Sequence, residues 1–327
     1  KHDPTMSPNT STLKSASILI LWLLLNMSVA LLNKSLFKSQ SFPYPILLSA
    51  IHMIVAAFLS HICLKMQLIV PVNLSPDQSR HLSRVLFFFS ILFVSNIALG
   101  NVSLDIVSIP FSQILRTFIP YVTMLTSALI LGSRFSMKVI LSVLPVSLGV
   151  SLTVYANIEF SWIASLVIGA GIVAASLKVT MTSMYLSHTC KNMHPVEFLA
   201  RICPMSAIHL IVFATARGET GKFIHQLRTD GMETNVILLA LLTGLAAFVL
   251  NWSNFEANRL TSPLTMCIAG NVKQVLTILL SMYLFNNHLQ WWNGIGVVMA
   301  LTGTAAYSIL KLQENSPKPD AAVKKEL

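Results

Sequence analysis

The chain has 327 residues, 54% hydrophobic and only 10% charged. A soluble domain carries roughly 25% charged residues, so this composition excludes an ordinary water-exposed fold and makes lipid the solvent over most of the length. The net charge of +10 does not indicate a nucleic-acid partner, because the basic residues are scattered through short polar stretches and two tails, with no nucleic-acid motif among them.

Crossing about 30 Å of hydrocarbon takes about 20 mostly apolar helical residues. That window predicts ten spans, beginning with 14–37 and 44–66, the second carrying His52. The first does not read as a cleaved leader, since its apolar run is long and Val29-Ala30-Leu31 is a poor cleavage site. Spans 82–101 and 107–131 follow, the latter opening at Pro110 and holding Arg116. Next come 137–156 and 160–187, with Lys178 near the middle of the latter and Tyr185 two turns further along the same face. Span 195–216 holds Arg201 and His209, and a polar loop of balanced charge over 217–233 leads to 234–258. There Asn251, Asn254 and Asn258 share one face, suited either to a cavity wall or to interhelical hydrogen bonds. Span 262–285 opens at Pro263 and contains Ala269-Gly270-Asn271-Val272-Lys273-Gln274. The last, 290–311, carries Gly294, Gly296, Ala300 and Gly303, a small-residue surface for helix packing or a homodimer contact. His52 and His209 lack the acidic partners of a proton relay and are expected to be packing residues. The cysteines show no metal-ligand spacing, so neither a metal nor a cofactor is expected.

Orientation follows from the loop cations. With both termini on one side, that side collects thirteen Lys and Arg, among them Lys65, Arg80, Arg84, Arg134, Lys138 and Arg259, against five (Lys34, Lys38, Arg217, Lys222, Arg228) on the other. Both termini are therefore predicted to be cytosolic, which needs an even number of spans. The predicted fold is an all-α polytopic membrane protein of ten transmembrane helices in two five-helix repeats, about 14–156 and 160–311, with cytosolic tails at 1–13 and 312–327. Halves with an odd number of spans have opposite topology, as in inverted-repeat transporters with a site near the midplane.

Four cations remain inside the spans, Arg116, Lys178, Arg201 and Lys273, while no Asp or Glu lies deep in any. A charge at the bilayer centre costs at least about 2.5–3.5 kcal/mol, so an anionic partner in a polar cavity is expected to offset them. Arg201 has another outlet, the interface or its i−4 neighbour Glu197. Lys273 is central in its span, with small Ala269 and Gly270 allowing close backbone approach and Asn271 and Gln274 adding amides.

Several motifs lie at family-like distances: Asn101-Val-Ser-Leu104 with Gln113, Arg116 and Pro120; His194-Pro-Val-Glu-Phe198 with Pro204; and Gly270-Asn-Val-Lys-Gln-Val-Leu-Thr277 with Phe285, Asn293-Gly294, Gly303 and Tyr307-Ser308. Along nearly its full length the chain resembles the triose-phosphate/nucleotide-sugar translocator branch of the drug/metabolite transporter superfamily. The resemblance implies ten helices in two inverted repeats, a central pocket and alternating-access antiport, with Lys273 in the place of a lysine that contacts substrate phosphate. Plastid sugar-phosphate members follow that lysine with arginine, where this chain has Gln274, and carry a lysine near the end of the sixth helix, where Thr182-Ser183-Met184 stands. Fewer phosphate-clamping cations favour a cargo with additional groups to hold.

The expected function is therefore antiport of a nucleotide-sugar against a nucleoside monophosphate, with a sugar-phosphate or phosphoenolpyruvate/phosphate exchanger as the alternative. Lys273 and Lys178 would hold phosphates, Arg116 and Arg201 would assist, and Asn271, Gln274 and Tyr185 would orient the rest. An enzyme is not expected, because no intramembrane general base or carboxylate cluster appears. Lys324-Lys325-Glu326-Leu327 resembles a cytosolic dilysine retrieval signal and points to an ER or Golgi membrane.

Overall fold

The computed structural model describes residues 8–38, 42–106, 109–153, 161–189, 193–229, 231, 234–285 and 291–315. Among the described residues, twelve α-helices follow one another: α1 (Pro8–Lys38), α2 (Pro45–Lys65), α3 (Pro76–Ile106), α4 (Ile109–Arg116), α5 (Ile119–Leu131) and α6 (Met137–Thr153), then α7 (Trp162–Ser183), α8 (Pro195–Ala216), α9 (Glu219–Thr229), α10 (Thr234–Leu260), α11 (Pro263–Phe285) and α12 (Trp291–Asn315). Among the described residues there is no strand. Eight helical stretches are long and apolar enough to cross a membrane, and Met137–Leu152 is a shorter apolar helix. The dilysine at Lys324 and Lys325 and the loop Cys190 lie outside the described residues.

Local chemistry sets the boundaries. Proline opens α2, α8 and α11 at Pro45, Pro195 and Pro263, where its missing N–H costs nothing. The Ser161 hydroxyl accepts the Ala164 N–H at the start of α7, and α5 ends on Gly132 at φ 63°, a left-handed turn that favours glycine.

Packing joins α6 to α12 and α2 to α8 most extensively, then α1 to α10 and α3 to α7, α2 to α10 and α3 to α8, and α5 to α7. The largest apolar core lies among α2, α3, α8 and α10, where Phe198 meets Phe255 at 5.0 Å and Phe89 at 6.0 Å between ring centroids. Large apolar side chains such as Phe58, Leu129, Leu166, Val212 and Val298 are exposed on the outer surface, as a bundle in lipid requires.

Three expectations change. The fourth predicted span is two helices, because Pro120 has no N–H for the carbonyl one turn back. The Tyr121 and Val122 N–H groups both turn to the Phe118 carbonyl, at 3.1 and 3.2 Å. The Thr117 carbonyl that Tyr121 gives up is taken by the Ser147 hydroxyl at 3.0 Å, and the Ser176 hydroxyl donates to the Ile119 carbonyl at 3.3 Å. Second, the polar loop 217–233 contains helix α9. Third, the small residues of α12 face inward: a Cβ on Gly149 of α6 would overlap the Ala300 nitrogen and stand 2.6 Å from the Gly296 carbonyl oxygen, and one on Gly303 would stand 2.8 Å from the Val146 nitrogen. That surface is the α6–α12 seam, not a free dimer face, although Gly294 has open space around it.

Candidate functional site

The structure brings three of the four predicted intramembrane cations together. Lys273 on α11 and Lys178 on α7 are close enough for their charges to repel, and Arg116, at the end of α4 where the broken span turns, adds its charge to Lys273. Among the described residues, Lys178 and Arg116 keep neutral partners. The Lys178 ammonium lies over the Phe93 ring at 5.0 Å. The Arg116 Nε donates to Ser112 Oγ at 3.3 Å. Lys273 donates to the Asn26 side-chain carbonyl at 3.5 Å and lies 5.9 Å from the Trp22 ring centre. Among the described residues neither Lys178 nor Arg116 takes part in an ion pair; the pairs present are at Lys14, Arg80, Arg201 and Arg259.

Arg201 takes the other outlet. Its Nη2 and Nε meet Glu197 Oε1 at 2.9 and 3.3 Å, while Glu197 Oε2 accepts the Val72 N–H at 3.0 Å. Within the His194-Pro-Val-Glu-Phe198 motif, the His194 ring nitrogen accepts the Val196 N–H at 3.2 Å, and Phe198 enters the core. Burial holds the His194 pKa below its ordinary value, and the nearby Glu256 partly opposes that shift. This motif therefore builds the start of α8 and ties it to the chain after α2.

On α11, Asn271 and Gln274 flank Lys273. The side-chain amide nitrogens of both are buried and have no hydrogen-bond acceptor among the described residues. Such donors are expensive to leave unmade, and here they sit in the same turn of helix as the lysine. Hydroxyls line the adjoining seam: Thr126 meets Thr180 at 2.9 Å, and Thr123 meets Cys267 at 3.1 Å. Tyr185 lies in a π-helical turn, Met184–Thr189, and packs in the core with Phe89 at 6.5 Å. Of the asparagine row on α10, Asn258 donates across to the Val179 carbonyl at 3.2 Å and Asn251 to its own helix.

Sequence reasoning missed Trp22, Asn26 and Phe93. Asn26, amid the leucines of the first span, was the available signal; the two aromatic side chains had none, because aromatic residues are ordinary in a lipid-facing helix.

Similarity to known proteins identifies the family. The sequence model of the Triose-phosphate Transporter family matches residues 13–308. The chain belongs to this family. It is 25% identical over 310 residues to UDP-galactose transporter 1 of Arabidopsis thaliana, covering 94% of this chain and 90% of that one. A probable sugar phosphate/phosphate translocator of the same plant is 29% identical over 307 residues, covering 93% and 83%. A GDP-mannose transporter, also from Arabidopsis thaliana, is 24% identical over 307 residues, covering 94% and 88%. One crystal structure superimposes with a TM-score of 0.64 at 14% identity over 93% of this chain and 99% of that one, which establishes the fold alone. A transmembrane transporter of the nucleotide-sugar and sugar-phosphate type is the shared description.

Proposed function

We propose that the chain is an antiporter exchanging a nucleotide-sugar for a nucleoside monophosphate across an ER or Golgi membrane. The observation that carries this reading is the cluster of Lys178, Lys273 and Arg116, in which Lys178 and Arg116 have neutral contacts among the described residues, beside two buried amide donors that lack acceptors among those residues. Phosphate oxygens satisfy both needs at once, supplying negative charge to the cations and lone pairs to Asn271 and Gln274. Where Gln274 stands, a neutral donor replaces a second cation, which favours a cargo whose base and sugar add contacts.

Two inverted repeats of five spans, 14–156 and 160–311, underlie the exchange. Support comes from the most extensive helix contacts, which map onto one another when the halves are swapped. Matching α1 with α7, α2 with α8, α3 with α10 and α6 with α12 turns the α1–α10 contact into α7–α3 and the α2–α10 contact into α8–α3, while α2–α8 and α6–α12 map onto themselves. Both termini face the cytosol in this reading.

A second reading is sugar-phosphate/phosphate exchange, favoured by the 29% identity to a probable translocator of that kind. Reconstitution separates them. Liposomes preloaded with UMP, GMP, CMP or inorganic phosphate are screened for uptake of labelled nucleotide-sugars and sugar phosphates. Nucleotide-driven uptake of a nucleotide-sugar is expected; uptake driven better by inorganic phosphate overturns the nucleotide-sugar assignment. The Lys273→Ala variant is expected to fold and lose uptake, and normal transport by it would remove the mechanism.

A further inference from the structure

Helix α9 was expected to be loop, and no step of transport uses it. It runs Glu219-Thr-Gly-Lys-Phe-Ile-His-Gln-Leu-Arg-Thr229, between the end of α8 at Ala216 and the start of α10 at Thr234. Both neighbours are long and apolar enough to span a membrane, so α9 sits where hydrocarbon gives way to headgroups.

Its rotation about its own axis is fixed. Glu219 Oε2 accepts the N–H groups of Ile46 and Leu47 at 3.0 and 2.9 Å, satisfying two orphan donors at the start of α2. The Phe223 ring meets Phe42 at 5.6 Å and Tyr44 at 5.7 Å, and Gln226 Oε1 accepts the Tyr44 hydroxyl at 2.7 Å. Residues 219, 223 and 226 thus form the face docked to the bundle.

At about 100° per residue, two further faces follow. Beside the docked face lies an apolar one, Ile224 and Leu227, each 43% exposed. Beyond it lies a basic one, where Lys222, His225 and Arg228 are exposed. The neighbours also expose apolar side chains towards the ends that α9 joins, Ile208 and Val212 on α8 and Ile237 and Leu241 on α10. An amphipathic helix with one side docked, one apolar and one basic is the pattern of a segment lying in the plane of the interface.

We infer that α9 is an interfacial helix that seats Ile224 and Leu227 among acyl chains and binds anionic phospholipid headgroups through Lys222 and Arg228. The inference is independent of the transported cargo. Because the same helix caps α2 through Glu219, lipid held at α9 steadies the entry to α2.

The test uses the full chain in nanodiscs of mixed phosphatidylcholine and phosphatidylserine, with Cys63 and Cys190 replaced by serine. Spin labels on Ile224→Cys and Leu227→Cys are expected to meet oxygen more readily than a water-soluble nickel chelate, and a label on His225→Cys the reverse. Equal chelate access at all three positions overturns the seating in lipid. Labels at 224 and 227 shielded from both reagents also overturn it, since a second protein copy would then cover the face. Bimane at position 224 quenched by brominated lipids reads the local headgroup preference. At about fivefold per cation, roughly thirtyfold preference for phosphatidylserine is expected, falling towards unity in the Lys222→Gln/Arg228→Gln variant. No preference, or one that survives the double substitution, overturns the headgroup site.

Discussion

Gly149→Ala tests the α6–α12 seam. The added Cβ would stand 2.6 Å from the Gly296 carbonyl oxygen and closer still to the Ala300 nitrogen, whereas ordinary contact begins near 3.4 Å. Both obstacles are backbone, so no side chain can swing away, and the helices must part by about 1 Å to clear the nearer one. A gap of that size forfeits a quarter to a half of the dispersion attraction of the atoms it separates. Overpacking of this kind costs about 2–3 kcal/mol, offset by about 1 kcal/mol from replacing glycine with alanine in a helix. The net loss of about 1–2 kcal/mol corresponds, for a chain of this length, to a Tm lower by roughly 1.5–3 °C, read by tryptophan fluorescence on heating in nanodiscs. Gly169→Ala, where nothing lies within 4 Å, is the control and is expected to be neutral or stabilising. A Gly149→Ala variant as stable as that control refutes the close approach and with it the inward assignment of the small-residue surface.

Asn26→Asp places a carboxylate against the Lys273 ammonium; competition with an anionic cargo should raise KM for uptake at least about tenfold, and an unchanged KM would dissociate Asn26 from the site. Glu197→Gln removes the charge that holds Arg201 and should cost about 1.5–3 kcal/mol, measured as thermal stability with a smaller effect on KM. Burial holds the His194 pKa below 6.5, so its neutral ring stabilises the fold above that pH and the contribution is lost as pH falls through the lowered value. His194→Asn keeps a capping acceptor and should flatten the acid limb of a stability–pH profile.

The membrane character and helical segments were legible because lipid imposes a length and an apolarity on every span. What escaped was set by contacts between distant segments. Pro120 was visible, but whether a proline bends or breaks a helix depends on partners for the freed backbone groups, and Ser147, which takes the Thr117 carbonyl, comes from another helix. Helix α9 escaped because its polarity resembles a loop until Phe42 and Tyr44 give Phe223 somewhere to dock. At the site, the cations were found by their cost in lipid, and the ambiguity at Arg201 was decided by Glu197, four residues away as anticipated. Trp22 and Phe93 became relevant only once folding set them against the lysines.

The neutral company kept by Lys178 and Arg116 also has an electrical consequence. Among the described residues, an empty bundle holds the positive charge of these two side chains without an ion-pair partner. A conformational change that carries such charge through a membrane potential does work of about 2.3 kcal/mol per charge per 100 mV. A bound dianion cancels that charge before the change begins. Under the proposed exchange, returning empty would then cost more than returning loaded, which favours exchange over one-way flow.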